Sequence, residues 1–406
     1  MRSVRTGRRV KQRRVQSESD KGSNRNRGLL PGSWKDGLGT CLLQAGKSGQ
    51  QIRRTVLPKK KVEKLRAGIV GVGIGSAHAG GYAKLPSVEI AALCDLDTKR
   101  AEQVAAQYKV KKIYSDFEAM LAEEPLDVVS VCVPNALHAL VAIAALKADK
   151  HVICEKPLSV NAVEGRKIAE AARASKGKFM IGMNNRFRGD SQLLKRYIED
   201  GALGTIYYAK CGWVRRRGIP GMGSWFTRKE QAGGGPLIDI GVHALDLTLW
   251  LMGNPKPASA YGATYAKFGP EGRGSGNWGV PVSGGKYDVE DLAAGMVRFQ
   301  DGSTLVLEAS WAQYCERERL YNELNGTQGG ATLEPFRIFT DRYDQPIDIT
   351  PQYHNISGHE AEIAHFVDCI LHDRKPIATV EQALDVMKIL DAIYESAQTG
   401  SSVSIK

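Results

Sequence analysis

From Leu65 onward the chain carries two hydrophobic rhythms, one after the other. In the first, short apolar runs alternate with amphipathic stretches. The runs are Leu65 to Val70, Val88 to Cys94, Asp127 to Val133, His151 to Cys154 and Phe179 to Gly182, the last read as a sixth strand. Between them, Ala77 to Leu85, 97–108, 136–148 and 160–175 repeat with a helical period. Near-continuous apolar strands separated by helices predict a parallel, doubly wound sheet buried on both faces. Beyond it the period shortens. Thr205 to Val214, 258–268, 287–299 and 303–312 alternate apolar and polar residues, as half-buried strands do. The glycine-rich 269–285 reads as a loop, and Glu360 to Leu371 and Val380 to Ala397 as closing amphipathic helices. The expectation is an α/β protein with a parallel domain over 65–186 and an antiparallel-leaning α/β domain over 187–406.

Residues 1–64 show neither period and are rich in Arg, Lys, Gly, Ser and Gln, so a basic disordered extension is expected there. The formal charge of +12 suggests a nucleic-acid partner until its distribution is read. Residues 1–66 hold 19 Lys and Arg against 4 Asp and Glu; the rest of the chain holds 37 against 40. The body is slightly acidic, and nucleic acid is not its expected partner. Arginine pairs at Arg8-Arg9, Arg13-Arg14 and Arg53-Arg54 precede only short apolar stretches broken by Gly and Pro, which excludes a twin-arginine export signal. Two readings of the extension stay open: an electrostatic arm for acidic surfaces, or a stretch upstream of a native start near Lys64. Seven cysteines without a C-x-x-C pair fit a reducing, cytoplasmic setting and oppose a disulfide framework or structural zinc. No apolar run has the length of a membrane span.

The first strand ends in Gly71-Val72-Gly73-Ile74-Gly75-Ser76, and a helix follows. Strand, glycine turn and helix start place a pyrophosphate on backbone N–H groups, a Rossmann arrangement. Gly71 and Gly73 suit the turn and the close approach; Ser76 takes the third, small position of G-x-G-x-x-G. Asp95 ends the second strand, where a carboxylate accepts hydrogen bonds from the adenosine ribose and repels a 2′-phosphate. NAD is therefore the expected cofactor, with NADP kept open by Lys99 and Arg100. Asp97 suits the cap of the next helix.

Ligands of such sheets bind beyond the carboxyl ends of the strands, and Glu155-Lys156-Pro157 stands at one of them. Lys156 there can hydrogen-bond a substrate hydroxyl; alternatively it is a solvated lysine paired with Glu155. Further on, Gly233-Gly234-Gly235-Pro236 leads into a helix with Asp239 and His243 four apart on one face, extended by Asp246. A histidine titrating near neutrality can accept a hydroxyl proton, and Asp239 can orient it. Ordinary core packing and a metal site formed with Asp246 are the competing readings; no metal is expected. Arg215-Arg216-Arg217, Trp213 and Trp225 precede this helix and offer aromatic faces and guanidinium forks to a sugar ring or carboxylate. The bland alternative for the arginines is a solvated strand end.

The glycine turn, E-K-P after a sheet strand and G-G-x-x-x-D-x-G-x-H-x-x-D together resemble the Gfo/Idh/MocA oxidoreductases, from about Leu65 to the C-terminus. The resemblance implies a Rossmann domain followed by a domain with a large, open, mostly antiparallel sheet used for homodimer or homotetramer packing. By it, Lys156, Asp239 and His243 match the catalytic lysine, aspartate and histidine. Asn135 and His138 in V-P-N-A-L-H, together with Glu155 and Lys156, fall among the cofactor positions. Arg186, in G-M-N-N-R-F, Trp225, Lys156, Asp239 and His243 fall to the substrate. The implied reaction is hydride transfer between a secondary hydroxyl of a sugar, cyclitol or related polyol and NAD(P). NAD-dependent glycosidases and sugar-responsive regulators share the fold; an intact Lys156, Asp239 and His243 set opposes the regulators.

Overall fold

The computed structural model describes residues 64–406, and the expectations for the basic extension lie outside the described residues. The first rhythm folds as the predicted parallel sheet, with a further strand and helix added over 112–123, where no period was assigned. Strands β1 (Leu65–Val70), β2 (Val88–Cys94), β3 (Lys112–Tyr114), β4 (Val128–Val131), β5 (His151–Glu155) and β6 (Phe179–Gly182) form one parallel sheet, in the order β3-β2-β1-β4-β5-β6. Helices α1 (Gly75–Ala83), α2 (Thr98–Tyr108), α3 (Phe117–Glu123), α4 (His138–Lys147) and α5 (Ala162–Ala174) make the crossovers. The strand order reverses between β1 and β4, and this is the crevice where open α/β sheets bind ligands. Ile69, Leu93, Val129 and Ile153 are fully buried, which is why these strands read as continuous apolar runs.

After α6 (Gly189–Glu199) the second rhythm gives β7 (Ile206–Val214), then α7 (Lys229–Ala232) and α8 (Val242–Leu251). Strands β8 (Pro257–Tyr265), β9 (Leu292–Phe299) and β10 (Thr304–Ser310) follow. The region 319–349, for which no period was assigned, adds β11 (Arg319–Gly326), β12 (Gly330–Leu333), β13 (Phe336–Arg342) and β14 (Gln345–Ile349). Helices α9 (Gly358–Leu371) and α10 (Val380–Thr399) and the short β15 (Val403–Ser404) close the chain. The nine strands form one sheet, β14-β13-β12-β11-β7-β10-β9-β8-β15, antiparallel except where β7 pairs with β10. One face is covered by α8 and α10. The opposite face keeps Tyr261 and Met296, direct cross-strand partners, about half exposed.

The two closing helices also reach the first sheet's helical layers. Helix α9 packs on α1 and α10 on α5, so the C-terminal residues clamp the nucleotide-binding layer to the sheet beyond it. Thr379 caps α10 through a reciprocal capping box with Gln382. The cleft between the layers is thus walled by rigid elements.

Candidate active site

The glycine turn meets a crowded wall on one side and open space on the other. Gly71 has φ +87°, and a side chain there would strike the backbone of Cys132 and Val133. Gly73 faces open space where α1 begins, the side from which a diphosphate reaches helix N–H groups. The third small position differs from expectation. Gly75, not Ser76, is the close-packing residue, since a Cβ on it would meet Ile69 and Cys132. Ser76 instead returns its hydroxyl to the Gly73 carbonyl at 2.8 Å. Asp95 accepts from the amides of Val72 (2.7 Å) and Asp97 (2.8 Å) and from Arg100 Nη2 (2.9 Å). It braces the turn and holds Arg100 beside it, while Asp97 caps α2 as expected. A positive-φ turn, an open-faced glycine at a helix start and a carboxylate ending the next strand fit a dinucleotide.

At the end of β5, Lys156 reaches across the cleft to the second domain. Its Nζ donates to the Asp239 carbonyl at 2.8 Å and to Asp239 Oδ1 at 3.0 Å. Asp239 Oδ2 accepts from the Trp311 indole at 3.0 Å, so both carboxylate oxygens are held. Asp239 lies in a π-helical turn, Leu237–Gly241, that runs directly into α8. The plain four-residue helical face expected for Asp239 and His243 is therefore widened, a distortion common at functional sites. Glu290 pins the start of this turn by accepting from the amides of Gly235 (2.9 Å) and Leu237 (3.1 Å), and Tyr394 donates to it at 2.8 Å. A side chain on Gly234 would collide with Tyr394, which explains the glycine run by packing. His243 follows, its Nδ1 buried without a partner and its ring 5.8 Å from that of Trp213.

Electrostatics set the protonation states. Burial alone would raise the Asp239 carboxyl, but the charge and hydrogen bond of Lys156, with the Trp311 N–H, hold it below the usual range. Burial, helped by the Lys156 charge, lowers His243 to about 3, well below the near-neutral titration expected from the sequence. The imidazole is therefore neutral, with its proton-accepting form free, and is a weak base unless negative charge develops beside it. Linkage turns this into a prediction. The folded value lies below the unfolded one, so the contribution to stability is complete above about 6.5 and is lost as pH falls toward 3. Wild type should lose stability over that window more steeply than His243→Asn, by up to about 1.4 kcal/mol per pH unit. Denaturation at stepped pH measures it; parallel curves would refute it.

A family model described as "Oxidoreductase family, NAD-binding Rossmann fold" matches residues 65–183, and one for the "GFO/IDH/MocA C-terminal domain" matches 191–332. The chain belongs to the Gfo/Idh/MocA oxidoreductase family. It is 33% identical over 347 residues to the D-glucoside 3-dehydrogenase of Escherichia coli K12, covering 84% of this chain and 97% of that protein. It is 29% identical over 284 residues to the levoglucosan dehydrogenase of Pseudarthrobacter phenanthrenivorans, covering 66% and 73%. A solved structure of levoglucosan dehydrogenase in complex with NADH and levoglucosan superposes with a TM-score of 0.74 at 25% identity, covering 84% of this chain and all of that one.

Not every residue assigned from the motifs of this oxidoreductase reaches the cleft. Arg186, expected at the substrate, is fully buried. Its Nε and Nη2 grip Asp246 at 2.7 and 2.6 Å, and its Nη1 donates to Gln382 and the Ile377 carbonyl. This corrects two readings at once, since Asp246 turns away from Asp239 and His243 and the three do not converge on a metal. His138, expected at the cofactor, is buried with its ring nitrogens against the carbonyls of Pro157 (2.7 Å) and Val133 (2.9 Å). It ties together the loops after β4 and β5 rather than facing the crevice. Asn135 is buried and donates to the Ala232 carbonyl at 2.8 Å, linking the nucleotide layer to α7. Trp225 stacks on Phe226 at 3.7 Å, with Trp278 packed beyond.

Glu155 is not the solvent partner of Lys156. Its Oε1 lies 3.0 Å from His78 Nε2, and His78 Nδ1 lies 3.0 Å from the Ser130 hydroxyl. Burial opposes ionisation of Glu155, yet the His78 contact and nearby positive charge hold it below the usual carboxylate range. The neighbouring Glu362 is instead pushed up by burial and by the Glu155 charge, against its bond to His359. Sequence reasoning missed His78, Trp311, Glu290 and Tyr394. Each acts on a residue 55 to 104 positions away, which no local period can signal.

Proposed function

We propose that this oxidoreductase oxidises a secondary hydroxyl of a sugar or related polyol, with residues 65–186 holding NAD and 187–406 shaping the substrate pocket. The observation that carries this reading is the ion pair of Lys156 and Asp239 bridging the cleft beside a neutral, unpartnered His243. When bound, the nicotinamide supplies the hydride acceptor. Lys156 then hydrogen-bonds the reacting oxygen and favours its anionic form. His243 accepts the hydroxyl proton, and Asp239 stabilises the imidazolium that results. The alcohol loses a hydride and a proton and leaves as a ketone. In the same reading, Asn135 and Glu155 line the nicotinamide half and Trp225 the substrate mouth. Asp95 selects NAD, with NADP open because Arg100 lies against it. The names of the E. coli and Pseudarthrobacter relatives support a carbohydrate substrate.

Two finer readings belong to this proposal. The six described cysteines are free thiols, which supports a cytoplasmic setting, and no helix among the described residues is long and apolar enough to cross a membrane. The uncovered sheet face bearing Tyr261 and Met296 supports a homodimer or homotetramer, which mass photometry distinguishes from a monomer.

The test is to incubate the purified chain with NAD or NADP and a panel of sugars, glycosides and cyclitols, following NADH or NADPH formation. Reduction with a ketone product from at least one carbohydrate is expected. Tight NAD binding with no reduction across the panel would overturn the reading.

A further inference from the structure

We propose that Arg215 is a specificity residue that selects a sugar substrate bearing a carboxylate; this rests on the carbohydrate oxidation proposed above. The side chains of alternate β7 residues share one face, which runs along α8. Cys211 meets Thr248 in the C-terminal half of α8, and Trp213 meets His243 at its first turn. Arg215 is the next position on that face. Continuing that direction, it follows Trp213 toward the N-terminal end of α8.

A second line of contacts reaches the same place. The Arg215 stem packs where a side chain on Gly218 would stand, and Gly218 abuts the Trp311 carbonyl. The Trp311 indole N–H in turn holds Asp239. Trp213 alone thus separates Arg215 from His243, and Gly218 and Trp311 link it to Asp239. Its guanidinium carbon lies 4.7 Å from the Trp213 ring centroid, so an aromatic face supports it.

Arg186, Arg188, Arg273 and Arg319 each meet a carboxylate. Among the described residues, none pairs with the Arg215 side chain, although it is half buried. Only its backbone is engaged: the amide donates to Ser310 and the carbonyl accepts from the Ser310 hydroxyl. The nearest acidic residue in the contacts of this segment, Glu318, accepts from the Arg216 amide. Inside the site, Asp239 is already neutralised by Lys156. Arg215 is thus an uncompensated charge beside the site. Among the described residues Arg216, Arg217 and Arg228 also lack a carboxylate partner, but of these four only Arg215 lies over the indole that meets His243. A single planar fork held on an indole matches a carboxylate, whose two oxygens accept its parallel N–H groups.

The test compares kcat/KM of the full chain with NAD on methyl β-D-glucuronide, methyl β-D-glucoside and glucose 1-phosphate. The glucuronide should be preferred. Arg215→Gln should collapse the glucuronide-to-glucoside ratio by roughly 10- to 100-fold, mainly through KM, as loss of a charge-assisted hydrogen bond does. Arg215→Lys keeps the charge without the fork and should recover only part of it. A wild-type preference for the glucoside or the phosphate, or a ratio unmoved by Arg215→Gln, overturns the proposal. Calorimetric binding of D-glucuronate to the NAD-loaded protein separates this from the reaction itself. If no compound reduces NAD, the oxidation reading fails. Glucuronate affinity lost in Arg215→Gln then still supports carboxylate recognition, and affinity absent or equal in both proteins overturns it.

Discussion

Lys156→Ala is expected to lower kcat by about 10²- to 10³-fold, the usual cost of removing one preorganised donor at a developing oxyanion. His243→Ala is expected to lower it by about 10²- to 10⁴-fold, the range of general-base contributions. His243 is not among the cofactor positions, and Lys156 meets only the nicotinamide end. NAD affinity measured by fluorescence quenching should therefore stay near wild type in His243→Ala and fall by no more than about tenfold in Lys156→Ala. The two losses should not multiply. Lys156 holds Asp239 by two hydrogen bonds, and Asp239 sits one turn before His243, so removing either group already disables the unit. The double variant should be little worse than the poorer single one. Retention of most of kcat by either single variant would sink the assignment.

The largest stability effect is expected away from the chemistry, at Asp246. Arg186 and Asp246 are both almost completely buried, and the guanidinium also reaches Gln382 and the Ile377 carbonyl. One cation thus joins the turn after β6 to α8 and the start of α10. Asp246→Ala leaves that cation desolvated and uncompensated, at a cost of about 3–5 kcal/mol. Replacing both partners by apolar residues, Arg186→Met with Asp246→Leu, removes the orphaned charge and should recover most of the loss. Denaturant midpoints of the three proteins measure this. A single variant within about 1 kcal/mol of wild type would show the pair to be incidental.

Arg186 also shows where sequence reading reached its limit. Its motif placed it in the segment entering the second domain, where a substrate role was a natural inference, yet that segment points its guanidinium into the core. His138 went the same way, since a histidine two turns of chain from a strand end reads alike whether it faces a crevice or braces two loops. Strands β11 to β14 were missed for a different reason. Their buried positions, Tyr321 and Leu324, Ala331 and Leu333, Phe336 and Ile338, come only two to a strand and are joined by the polar but buried Asn322, so each run is too short for a period to show.

What the sequence determined by itself was whatever a few consecutive residues can encode. That covers the buried parallel strands, the glycine turn, the Asp97 cap and the presence of Lys156, Asp239 and His243 at element ends. The tertiary structure alone decided which small residue packs the turn, with Gly75 taking the place expected of Ser76. It also decided that Trp311 and Lys156 hold Asp239, that His78 keeps Glu155 ionised, and that Asp246 serves the core. The division is physical. Backbone conformation and hydrophobic period are local properties, whereas desolvation, charge pairing and steric fit depend on groups that only the completed fold brings together.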